Sequence, residues 1–148
     1  MSRKESKFLI FSQGRTGSNL LASLINSNPD VHCDNEIFNR TLMPSSNKIL
    51  QYIILRLPLL YTLLKRKRSK AISYGFKLSY YQLRNTEKTI NDLHSKGWKV
   101  IYLQRRNIIK QSISWIIASE TKKWLRTKGT KSITQSFIIN PDQFIKVV

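Results

Sequence analysis

Along this chain, short apolar runs alternate with longer stretches of helical spacing. Residues 8–11, Phe-Leu-Ile-Phe, form a continuous apolar run that stops at Ser12, Gln13 and Gly14. A strand buried on both faces reads this way. From Ser18 onward, Leu20, Leu21, Leu24 and Ile25 recur at the spacing of a helix face, until Asn28-Pro29-Asp30 ends the segment. Residues 31–47, with Asn, Asp, Pro and Ser scattered through them, read as irregular. Residues 48–64 predict a helix broken or kinked near Pro58. The basic run KRKRSK at 65–70 follows as a loop or helix end, where cations suit the helix C-terminus. A second strand is expected at 72–78, a helix at 84–95 ended by Lys96-Gly97, a third strand at 98–103 and a helix at 108–119. Another helical start is expected after Pro141-Asp142. Strands alternating with helices predict an α/β domain built on a parallel sheet.

This reading makes residues 1–148 a single domain, with 43–70 as a helical insertion or lid within it. The chain stops at 144–148 just as a helix begins, so the domain is expected to be incomplete at its C-terminus. The charge changes the picture: 26 Lys and Arg against 8 Asp and Glu give a formal +18. That points to an anionic partner, whether nucleic acid, an anionic membrane or a small polyanion, against the plainer reading of a surplus of solvated lysines. The 41% apolar content excludes wholesale disorder. One cysteine, Cys33, excludes an internal disulfide and a cysteine-built zinc site, and His32 and His94 are too few and too far apart for a metal cluster. No metal is expected. The apolar stretch 49–64 contains Arg56 and Pro58 and falls short of the ~20 residues of a spanning helix. The N-terminus has only a four-residue apolar run and lacks the form of a signal peptide. A cytoplasmic location follows as the expectation, with peripheral membrane contact open to the basic segment.

Candidate chemistry begins in the turn between the first strand and helix, Gly14-Arg15-Thr16-Gly17-Ser18-Asn19. Glycines let a backbone approach an anion closely, and amides at a helix start point at phosphate oxygens. Thr16, Ser18 and Asn19 add donors, and Arg15 adds a fixed charge with fork geometry. The plain alternative is an ordinary strand-to-helix turn in which Ser18 caps the helix. The spacing is not that of a Walker A loop, which needs Gly-Lys followed by Ser or Thr. A Mg²⁺-dependent kinase therefore has little support.

A second motif lies far downstream: Tyr102-Leu103-Gln104-Arg105-Arg106-Asn107, then Gln111, Ser114 and Trp115. The two motifs in this order resemble the cofactor signatures of the sulfotransferases, closest to the bacterial and carbohydrate-modifying branches. The resemblance covers roughly residues 7–148. It implies a P-loop-like three-layer fold, a central parallel sheet flanked by helices. It implies 3′-phosphoadenosine 5′-phosphosulfate (PAPS) as cosubstrate, with Gly14, Arg15, Thr16, Gly17, Ser18 and Asn19 on the 5′-phosphosulfate. Ser114 with Arg105 or Arg106 would hold the 3′-phosphate. It also implies transfer of a sulfuryl group to a carbohydrate or glycolipid hydroxyl, in a bacterial cytoplasm. PAPS needs two separate anion grips, and the sequence offers two, each at an expected helix start.

Sulfuryl transfer needs a base on the acceptor hydroxyl and positive charge on the leaving group. The family's bacterial members carry a glutamate base after the first helix. Only Glu36-Ile37-Phe38 of that segment matches here, which makes Glu36 the candidate base and His32 the alternative. Arg15 is expected to stabilise charge on the transferring group. Lys77, in a segment like one found in related sulfotransferases, is either a strand-end lysine facing substrate or a solvated, sheet-edge lysine. Trp115 and Trp124 are either sugar-stacking surfaces or core. The competing function is a basic module binding nucleic acid or an anionic membrane without catalysis. No nucleic-acid motif accompanies the charge, so nucleic acid is not the expected partner.

Overall fold

The apolar run at 8–11 becomes the middle of strand β1 (Ser6–Ser12) in a computed structural model of the chain, which describes residues 5–41, 43 and 47–124. The helical start expected after Pro141 lies outside the described residues. The chain forms two units, Met1–Gln13 with Gly17–Gln104, and Gly14–Thr16 with Arg105–Val148.

In the first unit, β1 is followed by α1 (Ser18–Ile25), β2 (Val31–Glu36), α2 (Lys48–Arg56), α3 (Pro58–Arg68), β3 (Ser73–Ser79), α4 (Thr86–Ser95) and β4 (Lys99–Leu103). The four strands form one sheet in the order β2-β3-β1-β4, and every pairing is parallel. Helices lie on both faces. On one face Phe8, Ile10 and Cys33 pack with Ala22, Leu21 and Ile25 of α1. On the other Leu9, Tyr74, Phe76 and Leu78 pack with Ile54, Leu59, Ile90 and Leu93 of α2, α3 and α4, and with Trp98. The architecture is the expected α/β, P-loop-like arrangement of three layers. Since both faces are covered, β1 and β3 carry side chains buried to either side.

Pro58 opens α3 at its first position, where a missing N–H costs nothing, so the expected break separates two helices. The side chain of Asn47 caps α2 by accepting from the amides of Ile49 and Leu50 at 2.9 and 3.4 Å. Gly75 of β3 lies opposite Phe8 of β1, whose ring occupies the space any Cβ at 75 would need. A side chain there would push the ring out of the core.

The irregular reading of 31–47 needs correction, because 31–36 form β2. The residues Val-His-Cys-Asp-Asn-Glu give no apolar run, since β2 is an edge strand in which only Cys33 is fully buried. Its register against β3 shifts between Asp34 and Glu36, which leaves Asn35 as an extra residue and pairs Glu36 with Lys77. Strict alternation would put Glu36 on the same face as His32 and Asp34. The bulge turns it to the opposite, α1-bearing face.

The second unit carries α5 (Ile108–Thr121). The side chain of Asn107 caps it, accepting from the Lys110 amide at 2.8 Å. The asparagine of the Arg-Arg-Asn sequence thus starts the helix that bears Gln111 and Ser114.

Candidate functional site

Within the second unit the turn and the downstream motif meet. The Arg15 backbone adopts the left-handed region, φ 64°, which a residue with a Cβ enters only at a cost. Its guanidinium donates from Nε to Ser114 Oγ at 2.9 Å and from Nη1 to the carbonyl of Trp124 at 2.6 Å. Arg105 donates to the carbonyl of Arg15 at 3.3 Å, and Gln111 donates to that of Gly14 at 2.9 Å. Arg105 is therefore half-buried against the turn, while Arg106 is exposed. Ser114 keeps its own O–H while accepting from Arg15, so it can still donate. Thr16 is half-buried in the same segment. Trp115 and Trp124 meet edge to face at 6.2 Å between ring centroids, both with substantial exposed surface. Neither is a fully buried core residue.

In the first unit, Gly17 precedes α1 with φ 92°, a conformation that suits glycine, and no side chain caps the helix among the described residues. Ser18 is buried and does not act as the cap. Asn19, on the first turn, accepts from Lys77 Nζ. Lys77 is 2% exposed in the middle of the sheet, so it is neither a solvated nor a sheet-edge lysine. Its ammonium lies 3.7 Å from Glu36 Oε1. Burial pushes the Lys77 ammonium below the ordinary lysine value, and the Glu36 charge opposes that shift. Glu36 also accepts from Ser79 Oγ at 3.2 Å and from Asn39 Nδ2 at 3.0 Å. Tyr81 is raised by burial and then by the Glu36 charge. A buried cation, a carboxylate and three polar side chains thus gather at the C-terminal ends of β2 and β3. In open α/β sheets, ligands bind at that end of the strands.

His32 lies on the other face. Its Nε2 is 3.0 Å from Asp34 Oδ1, and its ring stacks on Tyr74. Asp34 also accepts from Tyr74 OH at 2.9 Å and pairs with Lys65 at 3.4 Å. Burial raises the Asp34 carboxyl, but the hydrogen bonds from His32 and Tyr74 and the Lys65 charge outweigh it and hold it below the ordinary aspartate value. Cys33, buried on the α1 face with Phe8 and Ile10, has its thiol pushed up to about 11 by desolvation.

Sequence reasoning singled out Gly14–Asn19, Arg105, Arg106, Ser114, Glu36 and His32. It missed Ser79 and Asn39, which belong to no motif, and the burial of Lys77. Gln111 was visible only as a motif position.

No family model matches the chain. The chain is 27% identical over 135 residues to Nodulation protein H of Rhizobium meliloti (strain 1021), covering 84% of this chain and 52% of that protein. A second Rhizobium meliloti Nodulation protein H matches to the same extent. The chain spans about half the length of the curated relatives it matches.

Proposed function

We propose that this chain carries the donor-binding part of a sulfotransferase that moves a sulfuryl group from PAPS to a hydroxyl of a carbohydrate or glycolipid. The observation that carries the reading is the hydrogen bond from Arg15 to Ser114 at 2.9 Å, which ties together two anion-binding motifs 99 residues apart. The likeness to Nodulation protein H along 84% of the chain supports the sulfotransferase class.

The donor set suits a doubly anionic nucleotide. Ser114 and Arg105 would take the 3′-phosphate, and Arg105 is preferred over Arg106 because it already packs against the turn. The amides of the Gly14–Asn19 segment and the Thr16 hydroxyl would take the 5′-phosphosulfate. Arg15 would offset charge that grows on the bridging oxygen as the S–O bond breaks. In the transfer, the acceptor oxygen forms a bond to sulfur, the bond from sulfur to the bridging oxygen breaks, and the leaving nucleotide departs as the 3′,5′-bisphosphate. The acceptor's proton goes to Glu36, which Lys77, Ser79 and Asn39 hold in position. Glu36 is preferred to His32 as base because it sits at the C-terminal strand ends, while His32 is engaged with Asp34 on the other face.

The test is calorimetric titration of the protein with adenosine 3′,5′-bisphosphate in the presence of competing DNA and without Mg²⁺. Arg15→Ala and Ser114→Ala are each expected to weaken binding about 10- to 100-fold, the worth of one charge-assisted hydrogen bond. If neither substitution alters affinity, the assignment of the site is wrong. Retention on DNA that the nucleotide does not displace, and that falls steeply with salt, would favour the non-catalytic basic module. A mass-spectrometric screen of glycans and glycolipids incubated with PAPS would then identify the acceptor.

A further inference from the structure

From the outer faces of α2 and α3 together with the basic end of α3, we infer that this surface docks the protein onto an anionic phospholipid membrane.

A helix lying on a sheet normally buries one apolar stripe and shows polar residues outward. These two helices are apolar on both sides. Inward, Ile54, Leu55, Leu59 and Tyr61 pack into the core beneath the sheet. Outward, α2 shows Ile49 and Ile53, 71% and 46% exposed, and α3 shows Leu60 and Leu64, 53% and 50% exposed. Leu50, Tyr52, Leu57 and Leu63 extend the same surface. Both inner faces rest on one core cluster, so both outer faces point away from the sheet on that side. An exposed apolar surface of this extent marks an interaction site.

Charge decides what covers it. Between Glu36 and Glu87 the sequence has ten Lys and Arg and no Asp or Glu. The basic run at the end of α3 is divided in two. Lys65 pairs with Asp34, and Arg66 bonds Glu5 at 2.6 Å and reaches the carbonyls of Ser69, Ala71 and Ile72, so these two serve the fold. Lys67 and Arg68 are exposed and fall three and four residues beyond Leu64, on its side of the helix. Arg68 and Lys70 then line an open depression with His32 and Asn26, a cationic and hydrogen-bonding seat for a lipid phosphate. Apolar side chains bordered by cations, with no acidic neighbour in the segment, match a layer of acyl chains under anionic headgroups. No helix among the described residues is long and apolar enough to cross a membrane.

The test is sedimentation of the full chain with phosphatidylcholine vesicles, with and without phosphatidylserine. Binding is expected only to the phosphatidylserine vesicles and is expected to weaken with salt. Each cation near such a surface contributes about fivefold, so reversing Lys67, Arg68 and Lys70 to Glu should weaken binding at least about 100-fold. Reversing Lys96, Lys99 and Lys110 to Glu makes the same change in net charge away from these helices' outer faces and should cost no more than about fivefold. The pair Leu60→Ser and Leu64→Ser keeps every charge and should also weaken binding, at least tenfold. It carries the test if the first triple variant does not fold by circular dichroism. Three results would overturn the inference: no vesicle binding, equal loss in both charge-reversal variants, or unchanged vesicle binding in the leucine pair while a self-association seen by ultracentrifugation disappears. The last would assign the face to a second copy of the chain.

Discussion

Glu36 and His32 lie on the same strand, and the sequence offers the first as the candidate base and the second as its alternative. The structure separates them by one residue of register. His32 faces α3, where it stacks on Tyr74 and bonds Asp34, which in turn is held by Tyr74 and Lys65. Glu36, turned over by the extra residue Asn35, faces α1 and meets a lysine at 3.7 Å and a serine at 3.2 Å. The first arrangement is a satisfied network that braces α3 against the edge of the sheet. The second gathers charge and hydroxyls where strands end and ligands bind. A candidate acid or base is thus distinguished less by its residue type than by the face on which the strand presents it.

The largest expected effect tests that distinction directly. With PAPS and a competent acceptor, Glu36→Gln should lower kcat by about 10²- to 10⁴-fold, the usual worth of a general base. On the proposed reading, in which Glu36 takes the acceptor's proton, His32→Ala should leave kcat within about twofold in the same assay. Similar losses in both variants would remove the contrast between the two faces.

Next in size is the buried pair. Lys77→Met leaves the Glu36 carboxylate without its cation and should destabilise the fold by about 3 kcal/mol in urea titration. The double variant Lys77→Met, Glu36→Gln should recover most of that loss, because removing both charges removes the burial cost as well. Additive losses would mean that the two groups do not interact.

The smallest effect concerns the His32 side. Asp34 has a folded-state value below its ordinary 3.8, so the unfolded chain binds this proton more tightly and acid favours unfolding. Its contribution to stability is complete above about pH 3.8 and is lost as pH falls through the lower folded value. The groups facing it are His32, Tyr74 and Lys65. Asp34→Asn should therefore flatten the acid limb of the stability profile, followed as the urea midpoint from about pH 5 to 2, and leave the pH dependence of turnover unchanged. An unaltered acid limb would show that folding does not lower the Asp34 carboxyl.

The inner strands β1 and β3 were legible in the sequence because they are buried on both faces. Phe8 to Phe11, Tyr74 to Leu78 and Trp98 to Leu103 announce themselves as apolar runs, and Pro58 and Gly97 mark where helices break or stop. β2 was not legible. An edge strand with one buried side chain need not be apolar, although the other edge strand, β4, is, and the sequence of β2 looks like a loop. The turn at Gly14–Asn19 and Ser114 could be singled out from motifs, but not the hydrogen bond from Arg15 that joins them. The cluster around Lys77 could not, because no local pattern shows that a lysine beside Phe76 and Leu78 points inward, or that a bulge brings a carboxylate to meet it.

The wholly parallel sheet has a consequence for how the chain is made. β1 finds its first partner in β3, where Ser6 lies opposite Ser73, 67 residues later. At a synthesis rate of about 5–20 residues per second, the apolar segment at its centre waits about 3 to 13 seconds on the ribosome before a neighbouring strand emerges. During that interval Phe8 to Phe11 have only helices to shelter them, first α1 and then α2 and α3, and no strand to pair with.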